Sequence, residues 1–170
     1  MAKRPHRPSR GARSLSREFA LLGIYEHLVN GSSAATIDNT LLGILSEDGE
    51  PVAGTSIDVN DFERCDKGHF STLLQGVIGN IEELENLYAA HVDREVSRLS
   101  LVERSILLLA TFELQHHLDI PYRVVINEAV ELSKVFVGSE GFRYVNGVLD
   151  KVAAEVRPAE VAAKLAAKSK

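Results

Sequence analysis

The decapeptide FRYVNGVLDK, residues 142–151, sets a cation and an aromatic hydroxyl side by side as Arg143 and Tyr144. Phe142, Val145, Leu149, Val152 and Val156 fall at steps of three and four, the spacing of a helix with one buried face. Arg143 and Tyr144 therefore belong to the first turn of that helix, where free backbone N–H groups favour anions. A second cationic feature lies near the other end of the chain. Residues 1–17 hold Lys3, Arg4, Arg7, Arg10, Arg13 and Arg17 and no acid. Arg10, Arg13 and Arg17 stand at i, i+3 and i+7, so a helix that begins before Gly11 makes them one basic ridge. Cationic arms of this kind engage phosphates; the plainer reading is a solubilising tail.

Other reactive side chains point nowhere so specific. Glu113 and His116, with His117 beside them, give E-x-x-H, the half-motif that di-iron bundles use on two facing helices. It occurs once, so the histidines are read as a helix-end pair near a C-terminal dipole, and neither a metal nor another cofactor is expected. HExxH, GxSxG and P-loop signatures are absent. Cys65 has only Arg64 and Lys67 as cationic neighbours in sequence and reads as a bystander thiol. The carboxylates look like solvated helix faces. None of this argues for an enzyme.

Composition frames these groups. The chain has 170 residues, 45% of them hydrophobic, enough to bury a core without staples. A single cysteine excludes an intrachain disulfide, and a reducing, cytoplasmic setting is expected. No apolar run is long enough to span a bilayer and the N-terminus lacks a secretory apolar segment, so no membrane role is expected. The net charge of −5 hides an asymmetry: the first 17 residues carry cations and no acid, whereas from Asp38 to Glu63 there are acids and no Lys or Arg. The expected picture is a basic arm on an acidic body.

The elements that must position these side chains are helices. Leu15–Val29 carries apolar residues on most of its circumference, as in a helix enclosed by others, and Asn30, Gly31, Ser32 and Ser33 stop it. Thr36–Leu45 is a short amphipathic piece, followed by an exposed loop over SEDGEPVAGTS. From Asp61 to Ala90 the stripe Phe70, Leu74, Val77, Ile81, Leu84 and Tyr88 predicts one long helix, with Gly68, Gly76 and Gly79 marking close approach of a neighbour. Ser100 and Glu103 form a capping box for a helix reaching about His117. Pro121 opens the next helix, Gly138 closes it, and Ser139 is placed to cap the one carrying Arg143 and Tyr144. The stretch after Pro158 reads as a frayed terminal helix. Strand periodicity is absent, so the expected fold class is all-α, with about six or seven helices in two packed bundles. Expected boundaries are 1–14 for the arm, 15–157 for the helical domain and 158–170 for the tail.

PYRVVINEAVELSKVF, Pro121–Phe136, and FRYVNGVLDK, Phe142–Lys151, resemble the NusB family of bacterial transcription antitermination factors. REFALLGIYEHL, Arg17–Leu28, is similar to that family's first helix, with a basic segment ahead and an aromatic at Tyr25. The resemblance implies an all-α protein of two helical bundles without catalytic activity. It implies two partners acting together, boxA RNA of nascent ribosomal RNA transcripts and the small-subunit ribosomal protein NusE, and a complex that joins RNA polymerase and other Nus factors. Two departures stand out. Gly11, Ser14, Leu15 and Ser16 thin the arginine cluster of the arm, and the SEDGEPVAG loop is longer than the family's usual connection.

With RNA as the implied ligand, the chemistry of Arg143 and Tyr144 acquires a purpose. Unpaired bases stack on aromatic rings while cations hold phosphates. The expected RNA-binding residues are Arg10, Arg13, Arg17, Tyr25, Arg143 and Tyr144. In the family pattern protein contacts lie partly at the start of the Ser100 helix, which makes Glu103 the expected partner-binding residue, in competition with its cap. The alternative is a non-catalytic helical protein-interaction module with no specific RNA binding.

Overall fold

The computed structural model describes residues 11–47, 59–93, 98–138 and 140–168. Among them lie nine helices and no strand: α1 (Ala12–Asn30), α2 (Ala34–Glu47), α3 (Val59–Arg64), α4 (Lys67–Ile78), α5 (Ile81–Ala89), α6 (Leu101–His116), α7 (Tyr122–Phe136), α8 (Gly141–Val156) and α9 (Pro158–Lys168). The all-α class is as expected, and the helix count is higher. Most of the loop assigned to residues 46–60 lies outside the described residues.

The single long helix expected over Asp61–Ala90 is instead three helices, broken at Cys65–Asp66 and at Gly79–Asn80. Asp66 leaves the helical path to cap α4, its Oδ1 accepting the His69 N–H at 3.0 Å. At the second break the Asn80 side-chain amide donates to the Gly76 carbonyl at 2.8 Å, satisfying an acceptor at the end of α4. The apolar stripe survives both breaks: Phe70, Leu74, Val77, Leu84 and Tyr88 are all buried. Periodicity reports which side chains face inward. It does not report whether the backbone between them is continuous.

The remaining termini follow local chemistry. Gly31 takes the left-handed conformation at φ 71° and returns its N–H to the His27 carbonyl, ending α1. Ser100 and Glu103 form both bonds of the capping box on α6. Gly138, at φ 108°, donates to the Ser133 carbonyl and turns the chain from α7 towards α8. Ser139 lies outside the described residues, and the residue preceding α8 is Glu140, which makes no side-chain cap.

Helices α1–α4 pack together as an N-terminal bundle, and α5, α7 and α8 gather on the other side of α6. Helix α6 belongs to both groups, touching α1 and α4 on one side and α5, α7 and α8 on the other. That position explains its sequence: residues Ser105 to Leu114 are buried without interruption. In the N-terminal bundle Phe62 meets Phe19 and Phe70 edge-on, with ring centroids 5.0 and 5.7 Å away.

The contact between α4 and α6 depends on a missing side chain. A Cβ on Gly76 would drive into the Phe112 ring. That ring is wedged against His116 and His117, at centroid distances of 4.7 and 5.5 Å, and has little room to retreat. Gly76→Ala is therefore expected to destabilise by about 1–3 kcal/mol from overpacking, less the roughly 1 kcal/mol that alanine returns as helix propensity. A lowered urea midpoint at unchanged slope is the expected readout; a raised midpoint would show that Phe112 yields freely.

Candidate nucleic-acid interface and the polar cluster behind it

The first turn of α1 starts at Ala12 after an extended Gly11, whereas the expected ridge requires a helix that begins before Gly11. Arg10 itself lies outside the described residues. Arg13 is exposed, with its guanidinium 3.9 Å from the Asp66 carboxylate. The Asp66 carboxyl is held below the usual range, chiefly by the His69 N–H it accepts. Arg17 turns inward and leaves the expected ridge. Its side chain is 4% exposed and grips Glu113 with two bonds, Nε to Oε1 at 2.7 Å and Nη2 to Oε2 at 2.9 Å. Burial alone lowers the Arg17 pKa, but the Glu113 hydrogen bonds and charge outweigh it and raise the pKa above the ordinary value.

Tyr25, on the outward side of α1, is 41% exposed. Twelve residues of helix separate it from Arg13, a rise of roughly 18 Å. Arg143 is exposed in the first turn of α8, its guanidinium carbon 5.9 Å from the Phe142 ring centroid. The Lys134 ammonium, from the last turn of α7, lies 5.3 Å from the same centroid. Tyr144 is half-buried against the core, its hydroxyl oxygen closed off from solvent. The aromatic ring flanked by cations at this corner is thus Phe142. Sequence reading assigned Phe142 to the buried stripe and passed over Lys134, although a lysine ending one helix just before the next begins is a legible signal. Glu103 is half-buried, and its carboxylate accepts the Ser100 N–H at 3.2 Å.

Behind the surface runs a polar cluster. Ser14 donates to Glu128 at 2.7 Å, and Glu128 lies 3.9 Å from Arg17, tying α1 to α7. Arg17 continues to Glu113, whose Oε2 lies 3.8 Å from His69 Nε2 and 4.0 Å from His117 Nδ1. The half-motif pairing Glu113 with His116 does not describe this arrangement: His116 is exposed, and His117 and the distant His69 face the carboxylate. Desolvation first, then the Arg17 charge, push the His69 pKa down to about 4. Desolvation lowers the His117 pKa in spite of the Glu113 carboxylate. Cys65 is buried, and that burial raises its thiol pKa, as suits an inert side chain.

A second buried arginine escaped sequence reading. Arg157, between α8 and α9, is 4% exposed and donates to the carbonyls of Glu113, Leu114, His117 and Ile120. These acceptors belong to the end of α6 and the turn after it, so a residue from the far end of the chain supplies the C-terminal cap. Glu160 of α9 accepts from Arg157 at 3.1 Å and from the Tyr122 N–H at 2.9 Å, anchoring the first turn of α9 to α7.

Two helical bundles share one buried central helix, with exposed arginines on α1 and α8 and the exposed Tyr25 ring on α1, and together define an all-helical protein. A family model described as the NusB family matches residues 14–154. The transcription antitermination protein NusB of Burkholderia vietnamiensis (strain G4 / LMG 22486) is 44% identical over 155 residues, covering 91% of this chain and 97% of the relative. That of Paraburkholderia xenovorans (strain LB400) is 46% identical over 154 residues, covering 91% and 96%. Among solved structures, T. maritima NusB superposes with a TM-score of 0.67 at 26% identity, covering 89% of this chain and 98% of that one. A crystal structure of antitermination factors NusB and NusE in complex with dsRNA superposes at 0.65 with 21% identity, covering 84% and 96%, and so shares the fold. The chain belongs to the NusB family and stands among the transcription antitermination proteins. No helix among the described residues is long and apolar enough to cross a membrane.

Proposed function

We propose that this chain promotes transcription antitermination by binding boxA RNA of nascent ribosomal RNA transcripts together with NusE, and that the pair joins RNA polymerase and other Nus factors in the cytoplasm. The observation that carries this reading is the 44% identity to a transcription antitermination protein across 91% of the chain. A neighbour of the same fold has been solved with NusE and RNA. The protein works by binding and performs no catalytic step.

In this reading the arm, including Arg10, and the exposed Arg13 hold phosphates, while Tyr25 offers an open ring for stacking. At the other end Arg143 and Lys134 flank Phe142, with the half-buried Tyr144 on the same turn of α8. Arg17 has no part in phosphate contact, because Glu113 already occupies its guanidinium. Glu103 meets the basic partner with whatever acceptor capacity its cap leaves free, and the acidic body assists encounter by complementary charge.

The test is fluorescence anisotropy with boxA RNA, with and without NusE. Added NusE is expected to tighten binding, and a scrambled RNA to weaken it. Tyr25→Ala is expected to cost about tenfold in affinity, within the range for loss of one stacked base. Arg143→Ala is expected to reduce the salt slope by about 0.7, the value for one phosphate on a single strand. Glu103→Gln retains the cap but loses charge, so weaker NusE capture at low salt is the expected partner result. Affinity indifferent to sequence and to NusE would hand the case to the helical protein-interaction module.

A further inference from the structure

We propose that His69, Glu113 and His117 form a binding site for a transition-metal dication of the Zn2+ type, clamping α4 to α6 inside the N-terminal bundle. The inference is independent of the RNA-binding reading. One ligand atom from each residue lies within 4.8 Å of the other two. The two separations to Glu113 Oε2, 3.8 and 4.0 Å, are too long for hydrogen bonds. They are close to the roughly 3.4 Å that separates ligand atoms on a tetrahedral ion with bonds of about 2.0–2.1 Å. Small side-chain rotations bring the three atoms onto one ion.

The state of the two ring nitrogens points to a ligand as well. His69 Nε2 and His117 Nδ1 are buried and have no hydrogen-bond partner, although both face a carboxylate. A buried polar nitrogen left in that state carries a desolvation cost with no compensating bond. One cation between them satisfies both. Burial disfavours the protonated form of both imidazoles, and the neutral form is the one in which a ring nitrogen has a lone pair to offer.

The donor set selects the metal. Two imidazoles and one carboxylate match the His2Glu pattern of zinc sites, whereas Mg2+ and Ca2+ prefer oxygen ligands. Arg17 orients the Glu113 carboxylate as an outer partner, with Oε2 left in reach of both histidines. Its charge, with those of Arg13 and His116 when protonated, opposes a cation, while Asp66 and Asp119 lie close enough to favour one. The His117 side chain is 17% exposed against 6% for His69, so an ion enters from the His117 side.

Untagged full-length protein titrated calorimetrically with Zn2+ near neutral pH is expected to bind one ion per chain and to gain thermal stability. His69→Gln and His117→Gln are each expected to weaken binding by more than about tenfold. His116→Gln and His91→Gln are expected to leave it unchanged, since His116 is outside the cluster and His91 pairs with Glu155. Co2+ bound to the wild-type chain supplies a readout that needs no variant: tetrahedral visible absorption bands support the site. Absence of stoichiometric binding, a purely octahedral Co2+ spectrum, or Zn2+ affinity that survives both glutamine variants in their folded form would overturn it.

Discussion

Arg157→Ala is expected to lower stability by about 3–5 kcal/mol, among the largest losses available to a single substitution in this chain. The wild-type guanidinium serves four carbonyls, those of Glu113, Leu114 and Ile120 in buried bonds and that of His117 in a part-buried one. Truncation leaves them without donors at the end of a helix already enclosed by two bundles, and each such group costs on the order of 1–3 kcal/mol unless water reaches it. The sum is reduced because the cavity left by the side chain admits water to some of them. Helix α9 should loosen as well, because Glu160 loses its cation. Arg157→Lys should recover only part of the loss, since an ammonium cannot reproduce a planar fork that reaches both α6 and its following turn. Urea unfolding and thermal scans measure the effect; for a chain of this length the loss corresponds to roughly 6–20 °C in Tm. An alanine variant within about 0.5 kcal/mol of wild type would show that the four carbonyls find other donors.

The second large effect concerns the Arg17–Glu113 pair. Arg17→Met and Glu113→Leu should each cost about 3–5 kcal/mol, because either change strands a buried charge. The double variant should be far closer to wild type than the sum of the singles, since a buried ion pair replaced by apolar side chains loses its desolvation cost along with its attraction. Strict additivity would mean that the 2.7 and 2.9 Å bonds carry no coupling. The same variants separate architecture from recognition: Arg17→Met should leave the salt slope of RNA binding unchanged, whereas loss of an exposed phosphate-binding arginine would reduce it.

These two arginines mark where sequence reading stopped. The helical fold class, the capped start of α6 and the inward residues of α4 and α5 were legible because each depends on spacing within a few turns. The three-way division of Asp61–Ala90 was obscured because Asp66 and Asn80 suit a solvated helix face as well as a helix end. At the candidate interface, residue types pointed to arginines beside rings, and Arg13, Tyr25 and Arg143 do face solvent. Whether Phe142 or Tyr144 presents the more accessible ring depends on the angle at which α8 meets the core.

The order of residues was enough to make this chain all-helical, to gather cations ahead of its first helix, and to give PYRVVINEAVELSKVF and FRYVNGVLDK their likeness to the NusB family. Which charges face inward was settled only when the helices packed. Glu113 meets Arg17 across 96 positions, and Arg157 reaches the Leu114 carbonyl across 43. Helical periodicity is a property of neighbours three and four apart, whereas the partner of a buried charge is chosen by how whole helices come together.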